Sequence, residues 1–156
     1  MPLIQKFNSP NVDPDDEIAN VDETVGTAGG GSKPANAVGD VMLVQALLEL
    51  NSQFTNPRWA TKPVKVDGIF SRDTGQLIFD FQGMIRSRPQ VGFWVSKDGR
   101  VGQAKEGVAL LSGQEWTIIA LNVNPGMIAA VFGFSSVVEA IQARHPNLVP
   151  HLRRAR

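Results

Sequence analysis

Val66-Asp67-Gly68-Ile69-Phe70-Ser71-Arg72-Asp73-Thr74-Gly75-Gln76-Leu77-Ile78-Phe79-Asp80-Phe81-Gln82 reads as a tight acidic-glycine turn that runs into an amphipathic helix. An Asp side chain accepts from backbone amides two residues on and Gly tolerates positive φ, so Asp67-Gly68 is turn chemistry. Ser71 stands where it can cap the next helix, whose inner face is Thr74, Leu77, Ile78, Phe81 and Ile85. Phe70, just before the cap, is expected to pack on Thr74 or Leu77 as a staple that sets the entry angle. The same kind of turn returns as Lys97-Asp98-Gly99-Arg100-Val101-Gly102.

On the N-terminal side, Val41, Val44, Leu47 and Leu48 recur at helical spacing, which predicts a helix from Asp40 to near Asn51 with Asp40 as its N-terminal acceptor. Residues 52–65 hold Pro57, Trp59 and Pro63 without a sustained period and read as a loop that tucks Trp59 onto the surface. Residues 9–36 are rich in Pro, Asp, Asn, Gly and Ser with few large apolar groups. They are expected to be mostly a mobile leader, because little burial offsets the entropy of ordering them. Gly29-Gly30-Gly31-Ser32 looks like a linker.

On the C-terminal side, Pro89 and Gly92 close the helical unit, Val91 to Ser96 reads as a short extended segment, and Lys105 to Leu111 as a weak helix interrupted by Gly107. Trp116-Thr117-Ile118-Ile119-Ala120-Leu121-Asn122 has the β-branched composition of a strand. Asn124-Pro125 is an N-cap followed by proline, and Met127, Val131, Phe134, Val138 and Ile141 form a helical stripe that ends at Arg144-His145-Pro146. One helix is the first expectation; a break near Gly133 is the alternative, because Ser136-Val137-Val138-Glu139 is itself a capping-box pattern.

The 156 residues suit one ordinary domain with its own core. Lys plus Arg and Asp plus Glu number 15 each, so no net field gathers nucleic acid, and the basic His151-Leu152-Arg153-Arg154-Ala155-Arg156 end reads as a solvated tail. The absence of cysteine excludes disulfides, thiolate metal sites and a cysteine nucleophile. Residues 1–10 show no classical signal peptide, which leaves a cytoplasmic location, or a periplasmic or extracellular one by a non-classical export route. The apolar run from Met127 to Val138 is too short to span a bilayer and is read as core.

Catalytic constellations are sparse. His145 and His151 share no helix face, so no metal site is expected. No Gly-x-Ser-x-Gly elbow is present, and Ser112, Ser135 and Ser136 suit caps or turns. Of the carboxylates a glycosidase would need, Asp67, Asp73, Asp98 and Glu115, two already belong to turns. Gly29 to Lys33 lacks the spaced glycines, preceding strand and following helix of a phosphate loop.

Asp40-Val41, Gln45 and Leu48, then Val66-Asp67-Gly68-Ile69-Phe70, Thr74 and Phe81-Gln82, and finally Asp98-Gly99-Arg100-Val101-Gly102 together resemble the bacterial peptidoglycan-binding-like domain. The resemblance covers roughly residues 38–103, with its motifs in the family's order. It implies a mainly α chain, a compact three-helix bundle in which the two Asp-Gly turns are equivalent helix entrances, with a C-terminal strand and helix extension. The expected division is a flexible leader over 1–36, the peptidoglycan-binding-like domain over 37–112, and an extension over 113–156 packed on the same core.

The function implied is that of a noncatalytic module that anchors or targets a bacterial protein to the cell wall, not an enzyme and without a cofactor. Peptidoglycan offers hydroxyls, amides and carboxylates, so its site calls for amide or hydroxyl donors, an aromatic ledge and an Arg. Trp59, Asp67, Arg72, Thr74, Gln82, Trp94 and Asp98 are the expected ligand-binding residues, near the Asp-Gly turns. The alternative is a protein–protein adaptor, or a component of a bacterial secretion system that reuses the fold, with the Met127 to Val138 stripe facing its partner. Neither reading involves nucleic acid or a membrane span.

Overall fold

A computed structural model describes residues 1–28, 33–54, 59–124 and 133–155. The expected triple-glycine linker, and Met127 and Val131 of the C-terminal stripe, lie outside the described residues. The chain begins with strands β1 (Leu3–Lys6), β2 (Glu17–Asn20) and β3 (Val25–Gly26), continues through helices α1 (Val38–Phe54) and α2 (Arg72–Arg86) to β4 (Arg100–Val101), and ends with α3 (Thr117–Val123), α4 (Val137–Arg144) and β5 (Arg153–Arg154). Two short 3₁₀ segments, Pro89–Val91 and Pro146–His151, complete the regular structure among the described residues.

This is a mixed α/β architecture, and it corrects the expected three-helix bundle. One sheet has the order β2-β1-β5, with β1 antiparallel to β2 and parallel to β5. The other pairs β3 with β4, antiparallel, setting Val25 opposite Val101 and Gly26 opposite Arg100. The segment expected to be a mobile leader supplies three of these strands and buries Ile4, Phe7, Val12, Ile18, Val21 and Val25 in the core. Arg153 and Arg154, expected in a solvated tail, are exposed but form the edge strand, and Arg154 reaches Glu17 across the sheet.

Helix α1 is the axis of the molecule. Val41, Leu43, Val44, Ala46, Leu47, Leu48 and Leu50 are all fully buried, so the helix is apolar on every side, as a central helix must be. Helices α2, α3 and α4, strand β3 and the Pro146–His151 turn all touch it. Asp40 sits inside the first turn of α1, and its buried carboxylate accepts from the backbone amides of Asp22 (2.8 Å) and Glu23 (3.2 Å). It therefore ties the strand region to the helix rather than capping it.

Helix α2 follows the sequence reading closely. Ser71 Oγ accepts from Thr74 N at 3.2 Å, and the five expected inward residues are buried. Phe70 packs against the core and lies over Gly75, where an added Cβ would meet Phe70 Cζ at 3.2 Å. Residues 116–122, expected as a strand, lie almost wholly in α3, with Ile118, Ile119, Ala120 and Leu121 fully buried. Strand-like composition yields here to burial on all sides, which a short helix can also accept. Residues 105–111, expected as a weak helix, adopt turns and irregular backbone. Helix α4 begins where the alternative reading set it, with Ser136 Oγ accepting from Glu139 N at 3.1 Å.

Buried amide side chains join the irregular segments to this frame. Asn122 donates to Ala19 O and accepts from Ala19 N, both at 2.9 Å, so a helix residue extends the hydrogen bonding of β2. Asn20 does the same for the backbone of Ala104 (2.9 and 3.0 Å), and Asn36 for that of Gly26 (3.1 and 2.8 Å). Each pair satisfies one backbone donor and one acceptor that regular structure leaves open.

Candidate binding groove

The two Asp-Gly turns are built by the same device. Gln45, on α1, accepts through Oε1 from the amides of Asp67 (3.0 Å) and Gly68 (2.8 Å). Its Nε2 donates to Asp67 Oδ1 (3.0 Å), Ile69 O (3.1 Å) and Thr74 Oγ1 (3.2 Å). Gln82, on α2, accepts from the amides of Asp98 (3.1 Å) and Gly99 (2.8 Å). Its Nε2 donates to Asp98 Oδ1 (3.0 Å), Arg100 O (2.9 Å) and Thr117 Oγ1 (3.1 Å). In each turn the Asp also accepts from the amide two residues on, at 3.0 Å.

Gly68 and Gly99 hold φ of +74° and +72°, where a side chain is strained, and Cβ atoms there would approach Val38 Cγ1 to 2.8 Å and Thr27 Oγ1 to 3.1 Å. The amide bonds from Ile69 and Gln45 hold the Asp67 carboxyl below the usual carboxylate range. The chain therefore contains two clasps of the order Gln, Asp-Gly, Thr, and they share α2. Thr74, in the first turn of α2, and Thr117, the first residue of α3, accept corresponding bonds from the two glutamines.

The clasps differ in length. Gln45 and Thr74 are 29 residues apart, Gln82 and Thr117 are 35. The second contains an irregular excursion, residues 102–116, between its turn and its helix. That excursion is held by Glu115, which is buried and accepts from Ser9 Oγ (2.6 Å), Asn11 Nδ2 (2.7 Å) and its neighbour's amide, Trp116 N (2.9 Å). A bridge between Trp94 and Gln114 closes its far side.

Two recesses flank this excursion and share Leu110, Gln114, Glu115 and Trp116 in their walls. The smaller, about 230 Å³, opens beside the second turn and adds Thr24, Ser96, Asp98 and Arg100. The larger, about 370 Å³, adds Phe93, Ser9, Asn11 and Glu106. Together they make a shallow, mostly polar groove with two aromatic edges, Phe93 and Trp116. Gln114 Nε2 donates to Ser96 Oγ at 3.0 Å across its floor.

The expected ligand-binding residues do not converge on one surface. Asp67 and Thr74 belong to the first clasp, Gln82 and Asp98 to the second, and Thr74 and Gln82 are buried with their polar atoms engaged internally. Asp98 alone of the seven lines the groove. Arg72 is exposed in the first turn of α2. Trp94 donates through Nε1 to Ser112 O (3.0 Å) and has the Arg86 guanidinium 5.8 Å from its ring. Trp59 packs edge-on to Phe81, 5.5 Å between centroids, and lines a separate recess on the outer side of α2.

Gln45 and Thr117 complete the clasps without having been marked as site residues, although the repeat of Gln, Asp-Gly and Thr was available in the sequence. Gln114 and Trp116 were not marked as site residues, and Glu115 only as a candidate glycosidase carboxylate, because the walls they form are assembled with residues 9–11 and 24 from far upstream. Among the described residues no cluster of His, Asp or Glu is arranged to hold a metal ion, and no helix is long and apolar enough to cross a membrane. Comparison with protein-family models, curated proteins and solved structures finds no match.

Proposed function

We propose that this chain is a noncatalytic binding module that anchors a bacterial protein to peptidoglycan through the groove beside its second Asp-Gly turn. The twin clasp carries this reading. Gln45, Asp67-Gly68 and Thr74, and Gln82 and Asp98-Gly99, which belong to the resemblance to peptidoglycan-binding-like domains, are joined by the same set of hydrogen bonds twice over, and Thr117 takes in the second set the bond that Thr74 takes in the first. The excursion adds hydroxyls, an amide, carboxylates and aromatic edges to the surface, the groups a glycan-peptide polymer engages. Glu115, the buried carboxylate of this groove, is occupied by Ser9, Asn11 and Trp116, which suits a structural tie better than an acid or base.

Co-sedimentation with insoluble sacculi tests the reading. Saturable pelleting at moderate salt, no release of muropeptides, loss on Gln114→Ala and Trp116→Ala, and retention on Arg72→Ala are expected. Folded wild-type protein that stays in the supernatant would refute it.

A protein-interaction adaptor is the second reading. Leu111 and Val108, 69% and 48% exposed on the excursion, favour it, since apolar groups held out on a loop suit a protein contact. Failure to pellet, with a Leu111-dependent complex captured instead, is the outcome that would favour it.

A further inference from the structure

The outer face of α2 carries a second recess, about 440 Å³, whose walls include Trp59, Phe79, Asp80, Met84, Arg88 and Lys97. Two aromatic rings, Trp59 and Phe79, and Met84 stand among its polar and charged groups. Phe79 is 40% exposed, unusual for a ring in a helix whose other large apolar groups are buried. The Lys97 ammonium stands 4.5 Å from the Phe79 ring centroid, a cation–π placement. It gets there by lying across Gly83: a Cβ at that position would come within 3.2 Å of Lys97 Nζ and 3.1 Å of Cε.

Lys97 and Asp80 both line the recess without a salt bridge between them. Among the described residues Asp80 is the only carboxylate in its wall, and both its oxygens accept from neutral donors, Oδ2 from Thr61 Oγ1 (2.6 Å) and Oδ1 from Gln76 Nε2 (2.8 Å). Among the described residues Lys97 forms no ion pair. A cation held above an aromatic ring, with the local carboxylate bonded to Thr61 and Gln76, complements a ligand with a compact apolar or amide body and a free carboxylate end.

We infer that this recess is a subsite for the free carboxylate of a peptidoglycan stem peptide, with Lys97 as its charge partner and Trp59 and Phe79 as its platform. The assignment of the ligand rests on the wall-binding reading above, whereas the selectivity for a carboxylate follows from the recess itself. Lys97 is exposed and gains a charge-assisted bond there, so its loss weakens binding about two- to fivefold.

The experiment titrates the full chain with a synthetic stem peptide, L-Ala-γ-D-Glu-L-Lys-D-Ala, and with the same peptide amidated at its carboxyls, following the Trp59 indole N–H by NMR. Sacculus pelleting is measured in parallel. The free acid is expected to shift the Trp59 resonance and the amide to bind about two- to fivefold more weakly. Lys97→Gln should reproduce that loss for the free acid, and Gly83→Ala, whose Cβ displaces the Lys97 end by only a few tenths of an ångström while keeping its charge, should give a smaller loss in the same direction. Equal binding of acid and amide, equal binding by both variants, or no response at Trp59 overturns the inference. Pelleting that survives such a result leaves the wall-anchor reading in place. Acid-selective, Lys97-dependent peptide binding without pelleting keeps the subsite and removes the anchor.

Discussion

Replacing Gln82 by Leu tests how much of the fold hangs on the second clasp. Leucine fits the volume but removes the amide oxygen, which accepts two hydrogen bonds, and the amide NH2, whose two hydrogens are shared among three acceptors. The Asp98 carboxylate is exposed and can recover water, and the Arg100 carbonyl is partly exposed. The Gly99 amide and the Thr117 hydroxyl belong to buried residues, and each is left without its partner at about 1–3 kcal/mol. The expected loss is about 3–5 kcal/mol, a large part of the roughly 5–15 kcal/mol typical of a domain. Urea unfolding followed by far-UV circular dichroism reads it as a midpoint lowered by about 2 M at unchanged slope. Gln76→Ala, which removes only an exposed contact to Asp80 four residues on, is the control and should shift stability by at most about 0.5 kcal/mol. A Gln82→Leu midpoint no lower than the control's would refute the clasp as a structural element. A double-mutant cycle with Thr117→Val should return a coupling above about 0.5 kcal/mol, since the two side chains share a bond.

Other expectations follow from the same geometry. Phe81→Ala should cost about 3–5 kcal/mol in denaturant titration, because Phe81 is fully buried and carries the Trp59 ring. Gly68→Ala should cost at least about 1–2 kcal/mol from its left-handed backbone alone, with the approach to Val38 adding to it, by the same assay. Two aspartates should give pH dependences of opposite sign. Burial raises the Asp40 carboxyl, so the folded chain takes up its proton before the unfolded chain does; stability relative to Asp40→Asn should rise as pH falls through the raised value toward 3.8. The amide bonds from Ile69 and Gln45 lower Asp67, so its contribution is present above 3.8 and should disappear, relative to Asp67→Asn, as pH falls through the lowered value. Unfolding curves of the two pairs between pH 3 and 6 give both slopes; parallel curves would contradict the assigned causes.

The parts of the fold legible in the sequence are those whose causes are local. The Ser71 and Ser136 caps, the inner face of α2 and the two Asp-Gly turns each depend on residues a few positions apart. The parts that were not legible depend on distant partners. Residues 1–26 look too polar to order because their strands are short, and their remaining backbone groups are met by Asn122, Asp40 and Asn36. Helix α3 reads as a strand because a short segment buried on all faces has no periodicity to distinguish the two states. The candidate site divides the same way. Asp67, Thr74, Gln82 and Asp98 stand out as a motif, but the motif turns its polar atoms inward, and the groove beside it needs an excursion whose path is set by contacts to residues 9 and 11. Trp59 lines the recess on the outer side of α2, Arg72 stands in the first turn of that helix and Trp94 is bonded to Ser112, although a sequence can group them by chemistry.

The parallel pairing of β1 with β5 has a mechanical consequence. Leu3 lies opposite Arg153 and Ile4 opposite Arg154, so the first and last strands run side by side in the same direction. Tension applied through the two ends of the chain pulls these strands in opposite directions along their length. The bonds from Arg153 N to Pro2 O (3.1 Å) and from Ala155 N to Ile4 O (2.9 Å) are then loaded together, in shear, instead of being opened one after another. Forced unfolding is governed by the rate of crossing the unfolding barrier, and a seam that must slide before it opens resists pulling better than its few bonds suggest. The fold can thus carry load across its own termini, a property that a tether between a protein and a rigid polymer would use.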